Sequence, residues 1–163
     1  FEETARRHGF VEFGSVDEIL NFAIDREKEA VDFYSSLAKE ASRASLKETF
    51  ERFAKEEEKH VFLISDMAGN KDKIDSYEFK KITDLKISDY MVETEYEQGM
   101  PMPEILKIAM KKEEIAVKLY SMLAGKTDNE DAKKVFMILV QEESKHKLAL
   151  ESMYDDYLAD QDN

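Results

Sequence analysis

A shift of 86 positions lays one part of this chain onto another, and the residues that coincide are of kinds a helical core normally excludes. Glu57-x-x-His60 falls on Glu143-x-x-His146. Glu27 falls on Glu113 within two similar stretches, A-I-D-R-E-K-E-A-V-D-F-Y-S-S-L-A at 23–38 and A-M-K-K-E-E-I-A-V-K-L-Y-S-M-L-A at 109–124. The chain has three histidines, and two of them belong to these pairs. Any fold for this sequence must accommodate two copies of one unit, which together bring four carboxylates and two imidazoles to equivalent places.

The repeats read as helices. Apolar residues recur at alternating spacings of three and four, which keeps them on one helical face. The seams run Leu20, Ala23, Glu27, Ala30, Tyr34, Leu37; then Leu46, Phe50, Phe53, Glu57, His60, Ile64, Met67; then Leu106, Ala109, Glu113, Ala116, Tyr120, Leu123; and last Ala132, Phe136, Leu139, Glu143, His146, Leu150, Met153, Tyr157. The glutamates and histidines therefore occupy core positions. Three capping boxes, Ser15-x-x-Glu18, Ser45-x-x-Glu48 and Thr127-x-x-Glu130, predict helix starts. Pro103 with Glu104 opens another. The expected helices lie near 16–41, 46–68, 103–124 and 128–158.

Short links between the first and second helices, and between the third and fourth, make each pair an antiparallel hairpin. Counting outward from a turn near residue 43 puts Glu27 level with Glu57 and His60, and the second turn aligns Glu113 with Glu143 and His146. Residues 69–102 lack a helical period and contain Gly69, Gly99 and Pro101. A connection returning along a bundle helix roughly 33 Å long needs about ten extended residues, so this segment reads as a long crossover with room for a short piece of structure around Tyr90 to Tyr96. The predicted fold class is all-α, an antiparallel four-helix bundle of two hairpins, in one domain over 15–158. Residues 1–14, with His8, read as a tail or linker, and 159–163 as a C-terminal tail.

Composition supports this and narrows the partners. Charged residues make up 37% of the 163, and glycine and proline together number seven, as expected of long amphipathic helices. No apolar run approaches the roughly 18 residues that cross a bilayer, so membrane insertion is not expected and cytoplasmic localisation is. There is no cysteine, which excludes disulfides, thiolate zinc sites and a rubredoxin-type iron centre within this segment. A net charge of -13 argues against nucleic acid and suits a cation or a basic protein.

Four glutamates at one level of a core are costly unless something cationic joins them, because a buried carboxylate loses several kcal/mol of hydration. Two divalent ions would balance four carboxylates when the histidines bind as neutral imidazoles. Oxygen-rich ligation with one imidazole per ion suits iron or manganese better than a closed zinc site. Glu27 and Glu113 would be terminal ligands, each beside one histidine, and Glu57 and Glu143 would bridge. Tyr34 and Tyr120, seven residues after Glu27 and Glu113, would hydrogen-bond a bridging carboxylate of the opposite hairpin.

This pattern resembles the ferritin-like di-iron carboxylate proteins, whose motif is a glutamate from two helices and Glu-x-x-His from the other two. The two near-equal halves, the Glu to Tyr spacing and the long crossover look most like the rubrerythrin branch. The resemblance covers about 16–158. It implies two iron ions (Fe²⁺/Fe³⁺, with Mn or Zn as substitutes), an oxidoreductase that reduces peroxide or O₂ in oxidative stress, an external electron donor such as a rubredoxin-type protein, and a homodimer. Rubrerythrins carry a second glutamate one turn after the third-helix ligand, and here that position is Ala116. Two other functions stay open: a ferroxidase or iron-handling protein with Fe²⁺ as substrate, and a non-catalytic metal-stapled bundle acting as a sensor or interaction module.

Other features take plainer readings. The eight methionines, Met110, Met122, Met137 and Met153 among them, are expected to fill the core. Glu56 and Glu142 are read as solvated or as partners of a histidine N–H, and Glu93, Glu95 and Glu97 as a solvated charge run or an iron entry patch.

Overall fold

The computed structural model of the chain describes residues 16–67 and 94–161. Within them lie four α-helices and no strand: α1 Val16–Glu40, α2 Ala44–Ser65, α3 Met102–Lys126 and α4 Glu130–Gln161. The predicted tail at 1–14, the Ser15 cap and most of the crossover fall outside the described residues. Of the Tyr90 to Tyr96 segment, 94–96 are described, and they are irregular.

The helices pair in sequence order, α1 with α2 and α3 with α4, and the contacts divide into two compact units between Asp66 and Met67. Each pair is antiparallel, as cross-helix contacts demonstrate. In the first hairpin Tyr34 stacks on Phe50 at 6.2 Å and meets the edge of Phe53 at 5.2 Å, while Glu27 lies beside His60. In the second, Tyr120 stacks on Phe136 at 6.2 Å, Glu113 lies beside His146, and the Lys107 ammonium sits over the Tyr154 ring. The 86-residue offset therefore extends to the packing, since Tyr34 and Phe50 map onto Tyr120 and Phe136 at the same centroid distance. The predicted seams are the buried faces, with half-buried positions only toward their ends and at the two small residues, Ala30 and Ala116.

Helix starts depart from the capping-box expectation. Helix α2 begins two residues early, with Arg43 at the N-cap and no side-chain cap, so Ser45 is already helical and its carbonyl accepts from Thr49 Oγ1. Asn129, rather than Thr127, caps α4: its Oδ1 accepts the Ala132 amide at 2.9 Å, and Thr127 Oγ1 instead accepts the Asn129 amide at 3.2 Å. Asparagine is among the strongest N-cap residues, because its short side chain reaches the N3 amide without strain. Asn129→Ala is accordingly expected to cost about 1 kcal/mol, read as a lower urea midpoint at unchanged slope.

Helix α3 starts at Met102, putting Pro103 in its first turn as expected, after a turn in which Gly99 takes φ +87° and the Met100 amide reaches the Glu97 carbonyl. That φ suits glycine at the third position of a turn. Helix α4 continues to Gln161, so part of the stretch expected as a tail is helical, there being no proline or glycine after Gly125 to stop it.

Candidate metal centre

In the first hairpin, α1 presents Glu27 and α2 presents Glu57 and His60, the last two one turn apart on the same face. All three are buried, at 2%, 0% and 5% exposure. His60 Nδ1 stands 3.5 Å from Glu27 Oε2 and 3.7 Å from Glu57 Oε2. The second hairpin repeats this with Glu113 from α3 and Glu143 and His146 from α4, each at 2% exposure, and His146 Nδ1 lies 3.7 Å from Glu113 Oε1. In each hairpin one donor atom per residue lies within 4.8 Å of the others. All six residues expected to bind metal are thus brought into two like triplets.

These separations decide what the triplets fit. At 3.5 to 3.7 Å, the nitrogen and oxygen atoms are too far apart for good hydrogen bonds. Donors bound at roughly 2.0–2.2 Å to one ion stand about 3.0–3.6 Å apart across the edges of its coordination shell. Two hard oxygen donors with one imidazole form a donor set for a divalent transition metal, and they fit the residues of a di-iron protein.

The electrostatics of the first triplet point the same way. Burial pushes the Glu27 carboxyl up to about 8 from 4.5, with the hydrogen bond and charge of Glu57 adding to the rise and His60 opposing it. Two carboxylates in one dry site cannot both ionise cheaply, so without a cation one keeps its proton. A divalent ion supplies the missing charge and displaces that proton.

Tyr34 and Tyr120 are both buried at 1% exposure, each stacked on a phenylalanine of the partner helix of its own hairpin. Glu56 and Glu142 are partly exposed and pair with Arg52 at 3.5 Å and Lys145 at 3.3 Å. Glu95 and Glu97 are described and exposed, as a solvated run would be. Met110 is fully buried whereas Met137 is 43% exposed, so the methionines are not uniformly core.

Three buried charges were not anticipated: Glu114, Lys147 and Glu151, all in the second hairpin. Lys147 Nζ and Glu151 Oε1 are 3.3 Å apart with side chains 7% and 0% exposed, and Glu114 lies 3.5 Å from Lys111 and 3.1 Å from Lys118. The available signal is the row Glu143, Lys147, Glu151 at spacing four, which continues the ligand face.

None of the proteins of curated function matches this sequence. Two solved structures resemble the chain along nearly their whole length. A hypothetical protein from Pyrococcus furiosus is 29% identical with a TM-score of 0.64, over 90% of this chain and 92% of that one. A putative ferritin-like diiron-carboxylate protein from Thermotoga maritima is 25% identical with a TM-score of 0.66, over 90% of this chain and 99% of the other. Together with the four helices they give the all-α, ferritin-like fold class. The sequence model of the rubrerythrin family matches residues 18–157, which is well over half of the chain and includes all six candidate ligands, and the chain therefore belongs to the rubrerythrin family.

Proposed function

We propose that the two triplets together hold two iron ions and that the chain is an oxidoreductase reducing peroxide or O₂ with electrons from a separate donor, such as a rubredoxin-type protein. The observation that carries this is the duplication of a buried Glu plus Glu-x-x-His set, with the imidazole and carboxylate donors 3.5 Å apart in one copy and 3.7 Å in the other. Iron bound there supplies one-electron redox chemistry and coordination positions open to an oxygen ligand.

In this reading the two hairpins form one domain. Glu27 with His60 and Glu113 with His146 would hold the ions, and Glu57 and Glu143 would complete the carboxylate set. Four carboxylates neutralise two divalent ions, which removes the conflict that raises the Glu27 carboxyl. Tyr34 and Tyr120 would hold a ligand carboxylate through their hydroxyls, and the apolar seam around them would keep bulk water from the site. No described helix is long and apolar enough to cross a membrane, and a cytoplasmic homodimer acting against oxidative stress fits the remaining expectations.

One residue favours a second reading. Position 116 holds a half-buried alanine where the family resemblance carries another glutamate, which leaves one fewer carboxylate to follow a change in the metal's charge. Iron oxidation and hand-on, with Fe²⁺ as substrate, needs less from that position than repeated peroxide turnover.

Anaerobic loading with ferrous iron followed by stopped-flow mixing with peroxide tests the proposal. The expected result is two irons per chain and oxidation at least tenfold faster than that of free Fe²⁺, lost on Glu143→Gln. Oxidation by O₂ that continues through many equivalents of added Fe²⁺ would favour iron handling. Tight binding of two ions with oxidation no faster than in buffer would overturn both in favour of a structural metal.

A further inference from the structure

The internal repeat provides a control for the surface as well as for the ligands. A largely apolar groove lies between the end of α3 and the start of α4, and its lining includes Ala124, Gly125, Lys133, Met137, Val140 and Gln141. At the 86-residue offset the first hairpin has Lys39, Glu51 and Lys55 where the second has Gly125, Met137 and Gln141. Those three charges are exposed, as the outer face of an amphipathic helix ordinarily is. Met137 is 43% exposed, an apolar side chain in place of a carboxylate.

Gly125 is the more informative of the three. A glycine within a helix costs about 0.5–1 kcal/mol relative to alanine, yet a Cβ at Gly125 would meet nothing within 4 Å in this chain. The chain's own packing does not require the missing side chain, whereas a neighbour entering the groove does. The far end of α4 offers that neighbour. Asp155 follows Met137, and Leu158 follows Val140, by eighteen residues, which is five turns, so each pair lies on one side of the helix. Asp155 is exposed and Leu158 is 40% exposed. One face of the second hairpin thus carries an apolar groove beside a lysine, and about 27 Å along it an apolar side chain beside a carboxylate.

We propose that a second copy of this chain covers this face, the two α3–α4 hairpins packing antiparallel about a two-fold axis so that Leu158 of each copy enters the groove of the other and Asp155 meets Lys133. The proposal rests on the homodimer of the reading above and adds the face through which it forms. Two-fold symmetry makes the contact twice, and the axis falls midway along it, beside the half-buried Leu148. A face two helices wide and about 38 Å long offers roughly 750 Å², close to the roughly 800 Å² that each partner buries in a specific interface. Two chains of net charge -13 repel each other, so their apposition needs a face that carries both signs, as this one does. Phe62, 60% exposed in the first hairpin, has no such setting. Its helical neighbours Glu58, Lys59, Ser65 and Asp66 are exposed polar residues, and a lone apolar side chain among them is ordinary.

Sedimentation velocity of the metal-free full chain tests the proposal. The wild type is expected to be a dimer at micromolar concentration. Gly125→Lys with Met137→Glu, which installs the first hairpin's residues, should give a monomer with unchanged helical circular dichroism; if that variant unfolds, the charge reversals decide. Lys133→Glu and Asp155→Lys should each weaken the dimer about tenfold or more by placing like charges together, and the two combined should restore it to within a few-fold of the wild type. Because the chain has no cysteine, Leu148→Cys should join two copies through a short thiol crosslinker, and the equivalent Phe62→Cys should not. A wild-type dimer that the groove variants leave intact, a double reversal that restores nothing, or crosslinking through Phe62→Cys instead overturns the proposed face and leaves the homodimer standing. A wild-type monomer overturns the homodimer itself and assigns the groove to a different partner.

Discussion

Adding ferrous iron to the metal-free chain under nitrogen, in excess and at about a thousandfold its dissociation constant, is expected to raise the melting temperature by about 20 °C. A ligand at a thousandfold its dissociation constant stabilises by about 4 kcal/mol per site, and a chain of this size gains about 2–4 °C for each kcal/mol. The physical source is specific. In the metal-free state the buried triplets hold carboxylates in competition for one dry space, and burial with the neighbouring Glu57 keeps the Glu27 carboxyl protonated to about pH 8. Two cations convert that repulsion into attraction. Scanning calorimetry with and without iron measures the shift, and Glu57→Ala, by removing a ligand at full burial, should lose most of it. A melting temperature that does not respond to iron would sink the metal assignment for both triplets.

The metal-free protein should also become less stable as the pH rises from about 4.5 to about 8, opposite to the usual behaviour of a paired carboxylate. Glu27 carries the folded-state pKa of about 8 against 4.5 for the free group. Within that window the unfolded chain has lost a proton that the folded chain still binds, so each added pH unit costs up to about 1.4 kcal/mol. The contribution is fully present below pH 4.5 and gone once the pH passes about 8. Urea unfolding of the metal-free chain at several pH values reads the slope. Glu27→Gln, which cannot ionise, should flatten it and leave the metal-free chain more stable at pH 8 than the wild type, while weakening metal binding. A slope that survives this substitution would show that another group governs the pH dependence. With iron bound, the wild type should show the reverse trend, since protons then compete with the ions.

Much of this was legible in the residues. The three-and-four spacing that places Glu27 with Ala23 and Tyr34, or His60 with Phe53 and Ile64, depends only on helix geometry, so the buried seams follow from the sequence directly. Hairpin register was readable too, because counting outward from a short turn is arithmetic on a rigid rise per residue. That is why Glu27 meets His60 and Glu113 meets His146. Caps were less legible: Thr127 and Asn129 are both good N-cap residues two positions apart, and which of them takes the amide depends on where the chain leaves α3.

The division follows from range. Periodicity, the 86-residue repeat and the choice of the six candidate ligands were determined by the sequence itself, because each reduces to spacing along one helix or across one short turn. Tertiary structure decided depth. A lysine and a glutamate four residues apart look the same on a solvated face as in an interior, and only packing reveals that Lys147 and Glu151 are buried whereas Asp25, Lys28 and Asp32 are exposed. The raised carboxyl of Glu27 is of the same kind, since its causes are burial and the approach of Glu57 and His60 from another helix. Charge in a protein acts according to the solvent around it, and no single stretch of chain carries that information.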